Sequence, residues 1–242
     1  MVSLGELLWD MLPTGKRAGG APVNFAYHAT NNGCEAYAVS AVGEDELGDE
    51  LAIAAEKAGI HAVLQRNAWP TGTVEVALKN GIPEYTIVEN VAWDHISYTR
   101  QLIDIVEQAD AVCFGTLAQR SPESHDTIIE LLKHTKDGAL KFFDINLRGD
   151  MYSKELIEEM LSYANVFKIN DEELLLMRGM FGIENTSDER PAMCSSSSST
   201  CATSFSPAAP PSPRSCRTTA RSPRWQPRTS PWPTPLARRL VL

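Results

Sequence analysis

The sequence predicts an α/β fold in which a parallel sheet is covered by helices on both faces and a small β-flap stands beside it. Three observations carry that expectation. From Leu4 to about Gly182, short continuously apolar runs alternate with amphipathic stretches of helical period. Strands apolar at every position belong in a sheet buried on both faces. One region breaks the rhythm: Gly72–Lys79 and Glu84–Glu89 alternate around Asn80-Gly81, the dipeptide of a two-residue hairpin turn. Such a hairpin fits poorly inside a doubly wound core and well as a flap beside it. Finally, residues 191–242 follow neither period.

In chain order, the helical stretches are Pro22–Asn32, Glu46–Ala58, Thr99–Gln108, Pro122–His134, Lys154–Ala164 and Asp171–Met180. Pro22 suits a first turn, where its missing N–H removes no helical bond. The apolar strand-like runs are Ala36–Ala41, Ala111–Phe114, Leu140–Ile145 and Val166–Ile169. The last two, joined by Lys154–Ala164, form one βαβ unit.

Residues 191–242 hold ten of the 15 prolines, eleven serines and seven arginines, and no Gly, Lys, His, Asp or Glu. A segment so poor in aliphatics cannot bury enough apolar surface to offset its chain entropy. Residues 1–185 are therefore expected to form the folded domain and 186–242 a disordered tail. The abrupt exchange of Lys, Asp, Glu and Gly for Ser, Pro, Arg and Ala is also what a shifted reading frame in G/C-rich coding DNA produces. A genuine basic tail is the other reading.

Charge divides along the same line. Fifteen of the 22 basic residues and all 31 acidic ones precede Pro191, so the body carries a formal −16 and the remainder +7. An acidic body argues against a nucleic-acid-binding surface. The five cysteines show no C-x-x-C spacing, so neither a zinc site nor a redox motif is expected. Cys34 and Cys113 sit in apolar surroundings and read as reduced core residues. No basic start leads into an apolar run, and no apolar run approaches ~18 residues, so a cytoplasmic protein without a membrane segment is expected.

The candidate chemistry lies at strand ends. The runs ending at Ile145 and Ile169 each lead into an asparagine, Asn146 and Asn170, with Arg148 and Glu173 close behind. In an open α/β sheet ligands sit beyond the carboxyl ends of parallel strands, so both clusters should share one crevice. Asn170 and Glu173, spaced N-x-x-E at a helix start, could share a hydrated Mg²⁺, and Arg148 offers a planar fork to phosphate. The alternative is that Asn170 or Asp171 caps the helix and Glu173 completes its first turn. Near the N-terminus, Asp10 could accept hydrogen bonds from adjacent sugar hydroxyls. Gly19-Gly20 before Pro22 leaves free N–H groups near Asn24. Adjacent Ser124, His125 and Asp126 point apart on a helix and cannot form a triad. Neither a G-x-x-x-x-G-K-[ST] nor a G-x-G-x-x-G loop is present.

In this order the residues resemble the ribokinase/fructokinase-like (pfkB) family of carbohydrate kinases. The matching pieces are G-E-x-x-x-D (Gly5 to Asp10), G-G-A-P-x-N (Gly19 to Asn24), V-G-x-D-x-x-G (Val42 to Gly48), D-x-N-x-R (Asp144 to Arg148) and K-x-N-x-x-E (Lys168 to Glu173). The resemblance implies a three-layer α/β/α fold with a β-flap closing over a sugar, here C-terminally incomplete. It implies that Asp10, Gly19, Gly20, Asn24 and Asn146 meet the sugar, and that Arg148 lies near the transferred phosphate. Asn170 and Glu173 would bind the nucleotide and organise Mg²⁺ through water. ATP and Mg²⁺ are the cofactors it implies, a fructose-like sugar the substrate, and a homodimer through the flap the assembly.

The sequence departs from the family where the family keeps its catalytic signature. That signature is a G-A-G-D segment whose aspartate is the general base and whose glycine amides form the anion hole. No such segment occurs here. The expectation is a sugar kinase by descent whose phosphotransfer is impaired, or a non-catalytic sugar-binding fragment of the same fold.

Overall fold

The structure, a computed structural model, describes residues 1–79, 82–182 and 201–204. Its elements run β1 (Val2–Leu4), β2 (Leu8–Leu12), β3 (Gly15–Gly19), α1 (Ala21–Asn31), β4 (Tyr37–Gly43), α2 (Glu46–Lys57) and β5 (His61–Asn67). They continue with β6 (Thr73–Lys79), β7 (Ile82–Ile87), α3 (Arg100–Gln108), β8 (Ala111–Gly115), α4 (Pro122–Lys133), β9 (Leu140–Asp144), α5 (Lys154–Tyr163), β10 (Val166–Ile169), α6 (Asp171–Phe181) and β11 (Cys201–Ser204). Seven strands form the main sheet in the order β11-β10-β9-β8-β1-β4-β5, all parallel except β11, which pairs antiparallel with β10.

Both faces of that sheet are covered, and β4 shows why its sequence is apolar throughout. Ala38 and Val42 pack with Val23 and Ala26 of α1 and Leu51 of α2. Val39 and Ala41, pointing the other way, join the larger core with Leu102 of α3, Leu131 of α4 and Ile157 of α5. Strand alternation thus feeds two cores from one run.

The flap is a separate sheet of order β3-β2-β6-β7. It contains the foreseen hairpin β6–β7, whose turn residues Asn80-Gly81 lie outside the described residues, and a hairpin β2–β3 that the pattern did not foresee. The V-G-x-D-x-x-G stretch ties the flap to the sheet. The Asp45 carboxylate accepts from the Thr71 hydroxyl (2.6 Å), Thr71 N–H (2.8 Å) and Gly48 N–H (2.8 Å). Burial alone would raise its pKa, but these bonds hold it below the usual value. Thr71 in turn accepts from Gly43 N–H (2.9 Å), so the entry to β6 is pinned to the end of β4.

Three expectations are corrected. Strands β1 and β5 escaped the apolar pattern: β1 spans only three residues, and β5 is an edge strand carrying His61, Gln65, Arg66 and Asn67. Cys34 is exposed, whereas Cys113 is buried as expected. The Ser124 hydroxyl, outside any triad as its helical spacing requires, donates to Trp93 O and accepts from Ile96 N–H. Within the segment read as a disordered tail, Cys201–Ser204 is strand β11; its other residues lie outside the described residues.

Candidate functional site

The carboxyl ends of β1, β8, β9 and β10 share one rim, and the sequence motifs fall on it. At β9, Asp144 is buried against Lys168 of β10, whose ammonium donates to both carboxylate oxygens at 2.8 and 3.0 Å. The two residues are register partners on adjacent parallel strands. Burial raises the Asp144 carboxyl, and Lys168 opposes that shift. The chain then turns through Asn146 at φ 38°. Asparagine tolerates this left-handed conformation better than most residues with a side chain.

Glu173, the third residue of α6, reaches back into the same turn. Its carboxylate accepts from Leu147 N–H (3.2 Å) and Asn170 N–H (3.0 Å), while Asn170 Oδ1 accepts from Glu173 N–H (2.8 Å). This is a capping box closed around the start of α6. Between the two readings of N-x-x-E, the cap is therefore formed. The bond to Leu147 also joins the D-x-N-x-R and N-x-x-E clusters in one crevice.

The N-terminal cluster enters from the other side. Asp10, half-buried on β2, places a carboxylate oxygen 3.0 Å from where a side chain on Gly19 would begin, so the glycine makes room for the acid. Burial raises the Asp10 carboxyl, opposed by Arg148 and Arg17. Gly20, at φ 124°, passes so close to β1 that a Cβ there would lie 2.2 Å from Glu6 O. Asn24 follows in the first turn of α1, half-buried, its side chain without a hydrogen bond among the described residues.

Arg148 is the charge these groups share. Its guanidinium donates to Leu147 O at 2.9 Å, and its cation opposes the effect of burial on Glu6, Asp10 and Asp144 alike. The flap, the end of β1 and the end of β9 therefore face one cation. Sequence reasoning missed Glu6 and the Asp144–Lys168 pair. The signal for the pair was present: Asp144 and Lys168 each stand two residues before the strand-end asparagine, with opposite charge. Glu6 carried no signal beyond its place in G-E-x-x-x-D, because its burial is a tertiary fact.

The family model for pfkB carbohydrate kinases matches residues 8–201. The chain belongs to the pfkB family of carbohydrate kinases. A Pyrococcus horikoshii relative, named as a sugar kinase, is 29% identical over 203 residues, which are 76% of this chain and 65% of that protein. Its crystal structure superposes with a TM-score of 0.65, covering 76% of this chain and 69% of that one. An Arabidopsis thaliana protein named chloroplastic fructokinase-like 1 is 28% identical, with 69% of this chain matched to 38% of its length. A Xylella fastidiosa fructokinase with bound ATP shares the fold at a TM-score of 0.67 and 21% identity, covering 75% of this chain and 64% of that one. The chain thus spans less than two thirds of the length of either curated relative. The pfkB match ends at the first residue of β11, beyond the boundary expected at 185.

No helix among the described residues is long and apolar enough to cross a membrane. Nor, among those residues, is any group of three or more His, Cys, Asp or Glu arranged to hold a metal ion.

Proposed function

We propose that this chain carries the sugar-binding half of an ATP-dependent carbohydrate kinase with a fructose-like substrate, and that its own phosphotransfer is impaired. The observation that carries the reading is the convergence of Asp10 and the D-x-N-x-R turn on Arg148. A carboxylate acceptor for sugar hydroxyls and a cation suited to the transferred phosphate then face the same crevice, as the family's chemistry requires.

In this proposal Asp10 accepts from two adjacent sugar hydroxyls, the backbone at Gly19 and Gly20 lets the sugar approach, and Asn24 and Asn146 complete its polar shell. Arg148 meets the phosphate being transferred. Asn170 and Glu173 face the nucleotide. Their amide oxygen and carboxylate already serve the cap, so contact with Mg²⁺ through water is the form that fits these residues. The metal's contribution would be to neutralise phosphate charge. Residues 1–185 make the kinase domain in this reading, 186–242 a tail of shifted frame, and the flap the face of a cytoplasmic homodimer.

Impairment follows from the absent G-A-G-D segment. A general base contributes ~10²–10⁴-fold and a single anion-hole donor ~10²–10³-fold. Positioning alone leaves the proton of the sugar hydroxyl without an acceptor. The 242-residue chain is therefore expected to release no ADP above background with any ketose or aldose, whereas a frame-restored chain should turn over. Fructose phosphorylation by the unaltered chain at ~1 s⁻¹ would overturn the impairment. In the restored chain, Asp10→Ala should weaken sugar binding about ten- to hundredfold by calorimetry; unchanged affinity would remove Asp10 from the site. A second reading, a non-catalytic sugar-binding fragment, is favoured for the unaltered chain by the same missing base, and sugar binding without turnover would support it.

A further inference from the structure

Glu6 is the most deeply buried acid on the rim, and the roles proposed above leave it unused. It follows Gly5 at the end of β1, the strand between β8 and β4, and is 3% exposed. Its Oε1 accepts the N–H of Ala21 at 2.9 Å. That N–H is the first of α1, one of the donors a helix leaves unpaired, and the cap residue Gly20 has no side chain to satisfy it. Glu6 therefore caps α1 from another strand, with a carboxylate where the helix dipole favours one.

Two further contacts make this a clamp. The backbone of Gly20 lies against the carbonyl of Glu6, where any Cβ would fall 2.2 Å from that oxygen. A Cβ on Gly5 would lie 2.7 Å from Pro22 Cγ, so the first turn of α1 sits directly on the end of β1. Together with Ala21 of α1, Glu6 also lines a cavity of about 10 Å³ that Cys113, Thr116, Asp144 and Asn146 border, a space of one water. Glu6 thus stands between the two clusters: α1, which carries Asn24, and the turn that carries Asn146 and Arg148.

We infer that Glu6 is a positioning residue for sugar binding, its carboxylate clamping the Gly20–Ala21 start of α1 to the rim so that Asn24 and Gly20 face Asp10 and Asn146. The inference rests on the sugar-site reading above. Its electrostatic setting gives it a signature that a packing role lacks. Burial pushes the Glu6 carboxyl up to about 7, while the Ala21 N–H and Arg148 favour the ionised form and Asp144 opposes it. The buried Cys113 thiol on β8 faces the same charge. The clamp is strongest when Glu6 is ionised, so it should tighten as pH rises through about 7.

The test uses the full 242-residue chain and its Glu6→Gln variant, followed by amide NMR and by fructose titration at about pH 6 and about pH 8. Glutamine keeps the shape and a neutral acceptor, so the variant retains the fold. In the parent, the Ala21 amide and the Asn24 side-chain amide should titrate together with a midpoint near 7, and both should be flat in the variant. Fructose should bind about tenfold more weakly to the variant than to the parent at the higher pH, and equally at the lower. Superimposable Ala21 and Asn24 signals in the two proteins at the higher pH would overturn the clamp. A titrating clamp with equal fructose affinity would overturn its part in binding. Should the parent bind no sugar at all, the sugar-site reading falls, and the amide titration alone then decides whether Glu6 holds α1.

Discussion

Helices α4 and α6 share a sequence pattern but differ in how they start and in what surrounds them. Each opens on a polar residue, Ser121 or Asn170, and each carries a run of aliphatics. On α4 those aliphatics vanish into the core: Ile128, Leu131 and Leu132 are all at or below 1% exposure, packed against α3 and the 3-10 turns at Ala92–His95 and Leu117–Arg120. On α6, Met177 is buried, but Leu174, Leu175 and Leu176 stand 37%, 67% and 52% exposed. Local chemistry decides where a helix starts, through Pro122 in the first turn of α4 and through the capping box of α6. Whether its apolar face is covered depends on what other elements supply, and among the described residues nothing covers this one. Hence α4 should act as a stabilising core element, whereas α6 should matter mainly through its capped N-terminus.

The largest effect is expected on α4. Leu131→Ala removes a fully buried side chain and should cost ~2–5 kcal/mol, read as a lower urea midpoint with unchanged slope. A loss under ~1 kcal/mol would mean that α4 is not the packed partner its burial implies.

Next comes the rim, where a buried acid should make stability depend on pH. The Glu6 carboxyl is raised from 4.5 to about 7. The folded state therefore holds this proton more tightly than the unfolded chain does. The associated stability is complete below the unfolded value and is lost as pH rises through the folded one. Between about pH 4.5 and pH 7 the loss should approach ~3 kcal/mol at ~1.4 kcal/mol per unit. Thermal melts across that range should fall more steeply in the parent than in Glu6→Gln, where the raised carboxyls of Asp10 and Asp144 remain. Parallel profiles would show that the carboxyl titrates normally.

A smaller effect tests the cap of α6. Glu173→Ala removes the acceptor of two backbone N–H groups, at Leu147 and Asn170, and should cost ~1–3 kcal/mol. Hydrogen exchange should quicken at the Leu147 amide, across the crevice, as well as at Asn170. Exchange changing only at Asn170 would separate the two clusters.

The smallest effect should fall on the exposed face. Leu175→Ser should move stability by no more than ~0.5 kcal/mol and reduce self-association in light scattering. A cost comparable to that of Leu131→Ala would show that something covers α6 in solution and would erase the contrast.

How much of this was legible depends on how far apart the interacting residues lie. All six helices and strands β4, β8, β9 and β10 were readable to within a residue or two, because period, capping residues and apolar runs act over a few positions. The convergence of Asn146 and Asn170 followed from topology alone, since parallel strands joined by one helix must end on the same side. The edge strand β5 was hidden because its half-exposed face accepts polar residues. Cys34 looked internal from its neighbours, yet the loop after α1 turns it outward.

By itself, then, the sequence determined the helices, the βαβ unit, the flap hairpin and the rim on which the polar groups gather. Those outcomes rest on backbone bonding and on periodicity within single segments. Only the tertiary structure decided that Glu173 serves as a cap reaching Leu147, that Asp144 meets Lys168, and that Glu6 is desolvated under α1. Each of these depends on groups from separate elements, from 15 to 26 residues apart in the chain. The free energy of a charged group is set by the water it loses and the partners it gains, and both are supplied by the assembled fold.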